Sequence, residues 1–254
     1  MSGTQIIINA DDLGISALVN DAIFELMANH LISSATLIAN APALRDATPQ
    51  LKRFPDCSFG AHLNLTQFEP LTGGPGAKLL VNQTGQLSRD IETAVPTVGL
   101  LRAAYLELCA QIELLVAAGI AISHLDSHNH VHTRPHMFPV LKAVQKRYGI
   151  RKVRLAKNLY SANRPCSPAL YWMKGVYNTT LRRVYRTHTT DAFTEFLTYV
   201  EVCRETPIRY RRIELMVHPG ASSYGGDETT LLRSGWLASL RTPVELINYR
   251  QLAR

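Results

Sequence analysis

The sequence is poor in cysteine, light in charge for its length and without any long apolar run. Its four cysteines, Cys57, Cys109, Cys166 and Cys203, lie far apart and form no C-x-x-C pair. A disulfide framework is therefore not expected, and the thiols read as reduced and mostly buried. No apolar stretch approaches the ~18 residues of a membrane span. The opening MSGTQIIINADDLG lacks the basic start and apolar core of a signal peptide. A cytoplasmic protein without a membrane span is the expectation. Neither an internal repeat nor a low-complexity tract interrupts the chain, which leaves a globular protein.

What is present suffices for one large core: 254 residues, 46% of them hydrophobic and 19% charged. Residues 1–254 are read as a single domain, since α/β barrels reach this length undivided. The formal net charge is +7, with one arginine group at Arg182, Arg183 and Arg186 and another at Arg209, Arg211 and Arg212. Charge alone is weak grounds for a nucleic-acid partner, and none is expected. A solvated basic face, or a weak attraction for anionic substrates or membrane surfaces, accounts for it.

Short β-rich runs alternate with helical patterns. Strands are predicted at Gln5–Ala10, Ser34–Asn40, Ser58–Asn64, Ala121–Asp126, Lys152–Leu155, Ile213–Val217 and Val244–Ile247. Helices are predicted from Ala17 to His30 with Ser16 as N-cap, from Val98 to Ala118 before Gly119, and from His136 to Tyr148 before Gly149. Such alternation implies a parallel sheet, and the strand number suits a distorted (β/α) TIM-like barrel better than an open doubly wound sheet. Two segments break the rhythm as long loop excursions: Phe68–Pro96, and Lys157–Thr190 with Tyr160, Tyr171, Trp172 and Tyr177. They read equally as binding covers whose aromatics stack on sugar rings and as aromatics packing the excursion onto the barrel.

Chemistry concentrates at predicted strand ends, where an α/β barrel builds its site. Asp11 and Asp12 follow IIINA directly. Neighbours on an extended strand point to opposite sides, so the two acids should have different tasks, although an Asp pair after a strand is commonly only a turn or N-cap. Five of the nine histidines fall between His124 and His136, a density that structure alone does not require. In His124-Leu-Asp-Ser-His-Asn-His-Val-His132, alternate residues would share one face until the strand ends near Asp126. Imidazoles suit a metal, and a carboxylate such as Asp126 commonly fixes a ring tautomer. His62 sits on the polar side of the alternating Ala61–Thr66, where a hydrogen-bonded barrel histidine is the commoner outcome. His218 ends Ile-Glu-Leu-Met-Val-His before the Pro219–Gly220 turn, as a turn cap or a proton donor. Arg154 reads as a substrate contact or a tuner of a carboxylate, with a surface salt bridge as its commoner use.

Four segments together resemble the YdjC-like carbohydrate deacetylase family. Asn9-Ala-Asp-Asp-Leu-Gly resembles its opening NADDFG, and Gly60-Ala-His-Leu its G-x-H segment. His124-Leu-Asp-Ser-His-Asn-His-Val-His resembles its H-x-D-S-H-H-H-V-H, and Met216-Val-His-Pro-Gly its late M-x-H-P. Order and spacing agree to about residue 220. Leu13 replaces an aromatic, and Asn129 replaces the middle histidine of the triple run.

The resemblance implies an α/β-barrel hydrolase that removes the N-acetyl group of an amino sugar in a small oligosaccharide or glycoconjugate. By position, Asp12, His62 and His128 would hold one divalent metal ion, Zn or Mg. Asp11 would be the general base and His218, across the mouth, a general acid. Asp126, His130 and Arg154 would contact substrate or support these groups. A cation on three protein ligands keeps positions open for a water and the acetyl carbonyl. Related barrels often pair, so the resemblance allows a homodimer, which the sequence itself does not specify. A metal-dependent sugar isomerase or phosphoesterase on the same barrel is the first rival, although such sites recruit more carboxylates than these motifs supply. The second is a non-catalytic saccharide-binding protein.

Overall fold

The computed structural model describes residues 3–206, 208–221, 225–240 and 243–252. Seven parallel strands form its sheet: β1 (Thr4–Leu13), β2 (Ser34–Leu37), β3 (Ser58–Leu63), β4 (Leu125–Ser127), β5 (Ala192–Glu195), β6 (Arg212–Val217) and β7 (Val244–Leu246). Their order is β4-β3-β2-β1-β6-β5, and β7 pairs with the start of β1. Every pairing between these strands is parallel, as an alternating βα chain requires.

The sheet curls toward closure through a segment that scarcely counts as strand. Val153 bridges to Leu125 of β4, and Lys152 bridges to His188 just before β5. The predicted Lys152–Leu155 strand is thus reduced to isolated bridges that span the gap between the two sheet edges. The distorted (β/α) barrel is borne out.

Alternation on β1 sets the two sides of the wall. Ile6, Ile8 and Ala10 join the large core outside the barrel, under the helices. Ile7 turns inward onto Ile247, Tyr249 and Leu252, which close the bottom of the lumen. Farther up the same inward row stand Asn9 and Asp11, both buried. The helices lie largely where the sequence places them: Ala17–Ala28 with Ser16 accepting from the Val19 amide, and Val98–Ala117 with Gly119 left-handed. The third begins at Phe138, after a 3₁₀ turn over Pro135–Met137, and runs to Tyr148.

Three expectations need correction. Ala121–His124 is not strand, because β4 starts only at Leu125. Strand β5 went unpredicted: its four residues run straight into the Phe196–Glu205 helix, leaving no turn signal between them. The Lys157–Thr190 excursion contains a 16-residue helix, Pro168–Arg183, opened by Ser167 as N-cap and a proline in the first turn. The other excursion, Phe68–Pro96, packs against the Val98–Ala117 helix, where buried Glu107 accepts from the backbone amides of Leu71 and Thr72. Cys57 and Cys109 are buried, and Cys166 and Cys203 are half-buried. Among the described residues no helix is long and apolar enough to cross a membrane.

Candidate active site

A cavity of about 440 Å³ opens at the carboxyl ends of the strands, with Asp11, Asp12, His62, His128, His130 and His218 in its wall. Strand β1 delivers both acids by changing conformation between them. Asp11 continues the inward row, whereas Asp12 is left-handed at φ 67°, where the β1–β2 register also shifts. A strictly extended strand would turn Asp12 away from Asp11; the left-handed residue turns it back into the cavity. Asp tolerates that conformation better than most residues. The two acids do differ in their contacts, as expected, but they share one side.

Asp12, His62 and His128 each bring one ligand atom to a common point, all within 4.8 Å of one another. The Asp12 Oδ1 lies 3.3 Å from His62 Nε2 and 2.9 Å from His128 Nδ1. Each imidazole is held by its other nitrogen. His62 Nδ1 lies 2.8 Å from Asp126 Oδ1 and 3.2 Å from Thr36 Oγ1, and His128 Nε2 lies 2.9 Å from Gln67 Oε1. One carboxylate and two oriented imidazoles form a donor set that suits a divalent cation. Burial opposes the charged form of His62, yet the nearby Asp126 and Asp11 outweigh it and push its pKa up to about 10. Asp12, despite burial, is held well below the usual carboxylate range by His128 and His62.

A second group, Asp11, His62 and Asp126, converges equally closely, but both of its acids are already paired with one cation. Arg154 donates to both oxygens of Asp11 at 2.7 Å, lies 2.8 Å from Asp126 Oδ2 and donates to Glu214 Oε1 at 2.7 Å. Its exposure is 0%. The surface salt bridge weighed for this residue is therefore ruled out. Arg154 is a fully buried cation among three carboxylates, and no substrate reaches it without rearrangement. Burial raises the pKa of Asp11, but Arg154 and His62 overcome this and hold its carboxyl well below the usual range.

The histidine cluster divides. His128 and His130 line the cavity, because Asn129 and His130 are both left-handed, at φ 51° and 55°, and fold the chain back after β4. Burial lowers the His130 pKa to about 4, and its Nδ1 has no hydrogen-bond partner. His132 instead turns inward to the Ser127 hydroxyl at 2.6 Å, and His124 lies flat on the Tyr249 ring, centroids 3.5 Å apart. Neither lines the cavity. His218 follows β6, which pairs with β1 on the side away from β2 and β3. It therefore approaches the acid pair from the flank opposite His62. Buried Glu228 accepts from its backbone amide at 2.8 Å.

Sequence reasoning missed several members. Glu214 is the one acid in the apolar β6, a readable sign of a buried pairing. Glu195 and Glu228 also line the cavity, so it holds more acids than the motifs suggested. Thr36 and Gln67 carry no signal before the strands are paired. Tyr160, Tyr171, Trp172 and Tyr177 are absent from the lining residues. Tyr177 donates to the His132 carbonyl, while Trp172 is 69% exposed.

A family model described as YdjC-like protein matches residues 5–242. The chain belongs to the YdjC-like family. A carbohydrate deacetylase of Geobacillus stearothermophilus is 42% identical over 154 residues, which is 59% of this chain and 60% of that relative's length. Carbohydrate deacetylase 1 of Listeria innocua is 30% identical over 98% of this chain and 100% of its own. Among solved structures, an Enterococcus faecalis V583 protein with a provisional cellobiose-phosphate cleavage name superposes with a TM-score of 0.80. It covers 100% of both chains at 23% identity and so shares the fold. The four motifs that signalled this YdjC-like member all lie within the matched range.

Proposed function

We propose that this protein is a metal-dependent deacetylase that hydrolyses the N-acetyl group of an amino sugar in a small oligosaccharide or glycoconjugate. The observation that carries this reading is the contact of one Asp12 oxygen with His62 Nε2 and His128 Nδ1, at 3.3 and 2.9 Å, while the outer nitrogens are held by other residues. The carbohydrate deacetylase names of its relatives support the substrate class. Amide hydrolysis needs an acidified water, a stabilised oxyanion and a protonated leaving nitrogen. A Zn or Mg ion on Asp12, His62 and His128 would supply Lewis acidity for the first two.

The chain's own residues do the rest. Asp126 and Thr36 fix the His62 ring, and Gln67 fixes that of His128. Asp11, kept ionised by Arg154 and 3.9 Å from His62 Nε2, accepts the proton of the attacking water. His218, from the opposite flank, donates one to the departing amine. His130, in the cavity wall, meets the sugar. Arg154 disfavours the isomerase or phosphoesterase rival, which often needs a second ion, since its guanidinium already pairs with both acids of the other group able to hold an ion among the described residues.

The deciving test strips the purified protein with a chelator, restores Zn²⁺ or Mg²⁺ and assays acetate and free amine from N-acetylglucosamine oligomers and other acetylated amino sugars. Acetate release that returns with the metal is expected. Phosphate release, ketose formation, or turnover indifferent to the metal would overturn the reading.

A further inference from the structure

A second cleft, with a different charge character, lies at the other end of the barrel, outside the residues that close the lumen. Ser123 precedes β4, Arg151 and Lys152 begin the bridging segment, and His188 precedes β5, while Arg250 and Leu252 follow β7. Together they line a cleft of about 1020 Å³. Five of its lining residues are basic side chains, Arg151, Lys152, Arg186, His188 and Arg250, and none is acidic. The catalytic cavity, by contrast, has four carboxylates in its wall: Asp11, Asp12, Glu195 and Glu228.

Lys152, Arg250 and Arg151 are positioned by groups that do not neutralise them. Lys152 Nζ donates to the carbonyls of Tyr249 at 2.5 Å and Arg250 at 3.0 Å, and Arg250 donates to those of Pro55 and Cys57. Carbonyls orient a charged head but leave its charge in place. The Arg151 guanidinium lies over the Tyr185 ring, 5.1 Å from its centroid. Tyr185 and Arg186 are both left-handed, at φ 60° and 45°, an uncommon conformation for residues of their size. Lys142 holds this turn, donating to the carbonyls of Leu181 and Val184 and to the Thr187 hydroxyl. Among the described residues no carboxylate lies within ion-pairing reach of Arg151, Lys152, Arg186 or Arg250.

A solvated basic face spreads its charges over a convex surface. Like charges gathered around a concavity instead focus a positive potential, which a polyanion relieves. Guanidinium forks match phosphate oxygens in geometry. We propose that this cleft binds a small anion carrying two or more phosphates, with Arg151 and Arg186 as the forks and Lys152 and Arg250 as fixed charges. The site is separate from Asp12, His62 and His128 and does not depend on the deacetylase reading.

The test is calorimetric titration of the metal-loaded protein with inorganic pyrophosphate at low ionic strength. Arg151→Gln/Arg186→Gln and, separately, Asp12→Ala are titrated in parallel. We expect saturable binding that weakens at least tenfold in the double variant and persists in Asp12→Ala, with thermal midpoint and sugar turnover of the double variant unchanged in the absence of pyrophosphate. Equal binding by the double variant, loss of binding in Asp12→Ala, or no binding at millimolar pyrophosphate overturns the proposal. So does a single-stranded oligonucleotide that binds more tightly than pyrophosphate with the same arginine dependence, since that would make the cleft a nucleic-acid surface.

Discussion

Arg154 grips Asp11 through two guanidinium nitrogens, each 2.7 Å from a different carboxylate oxygen, with no solvent reaching the arginine. The same side chain meets Asp126 from β4 and Glu214 from β6, so one cation ties three strand ends beneath the candidate site. Removing it in Arg154→Ala leaves three buried carboxylates without their counter-charge. The expected cost is about 3–5 kcal/mol of stability. Arg154→Lys should recover only part of this, because an ammonium cannot reproduce the two-pronged contact. Urea denaturation of the three proteins measures both effects, and a midpoint unchanged in Arg154→Ala would contradict the ion network.

That network also separates what the sequence reveals from what it conceals. Asp12, His62 and His128 are legible only through the four motifs taken together, since His62 alone, inside its strand, reads as a hydrogen-bonded barrel histidine. The burial of Arg154 is not legible, since its three partners come from strands far apart in sequence and meet only once the sheet is ordered. Asp12 shows the same limit locally. Period-two alternation turns it away from Asp11, and only its left-handed backbone brings it back. Strand β5 is too short to show a period, and the helix inside the Lys157–Thr190 excursion lies outside the predicted helices although Ser167 and Pro168 form a start signal that a sequence can show.

Asp11 and Asp12 are neighbours with separable tasks. Asp11→Asn keeps the shape and leaves the Asp12, His62 and His128 donors in place. Metal content by elemental analysis should stay near that of the parent protein, while acetate release falls on the order of 10²–10⁴-fold. Asp12→Asn should lose both. A fully active Asp11→Asn protein would remove Asp11 from the role of base.

Gly60 is the flat seat of a buried ring. A Cβ added there would stand 2.5–2.7 Å from three atoms of the His124 imidazole, which Tyr249 blocks from its other face. Gly60→Ala should therefore displace the ring and destabilise the fold by about 1–3 kcal/mol. Calorimetric unfolding would detect this. His62, two residues along β3, keeps its own contacts, so the metal-to-protein ratio of the folded variant should be unaltered.

His124 also sets a pH dependence. Burial, with Arg154 adding repulsion, holds its pKa well below 6.5, and its Nε2 has no hydrogen-bond partner. The folded state thus keeps His124 neutral where the unfolded chain takes up a proton. Stability from this group is complete above pH 6.5 and declines as pH falls below it. His132 acts in the same direction for the same first cause, burial. His124→Phe retains a ring against Tyr249 and cannot titrate. Its stability should fall less steeply below pH 6.5, by up to about 1.4 kcal/mol per pH unit for the one proton removed. Parallel slopes for the two proteins from pH 6.5 to 5 would refute the assignment.

Tyr249 completes the inner chain of contacts by donating to Glu214 Oε2 at 2.5 Å, while Arg154 takes Oε1. Burial dominates at Glu214 and pushes its pKa up to about 7, against the pull of Arg154 and the tyrosine hydroxyl. The folded state therefore binds this proton more tightly than the unfolded chain, and the group's contribution to stability is lost as pH rises through 7. Tyr249→Phe deletes a donor that favours the ionised form and should raise that pKa further. The penalty should accordingly be small at pH 5, where Glu214 carries its proton, and reach about 1–3 kcal/mol at pH 8, where a charged oxygen is left buried without its donor. Denaturation curves of the variant and parent at the two pH values measure the difference, and an equal penalty at both would show that Glu214 does not titrate in this range.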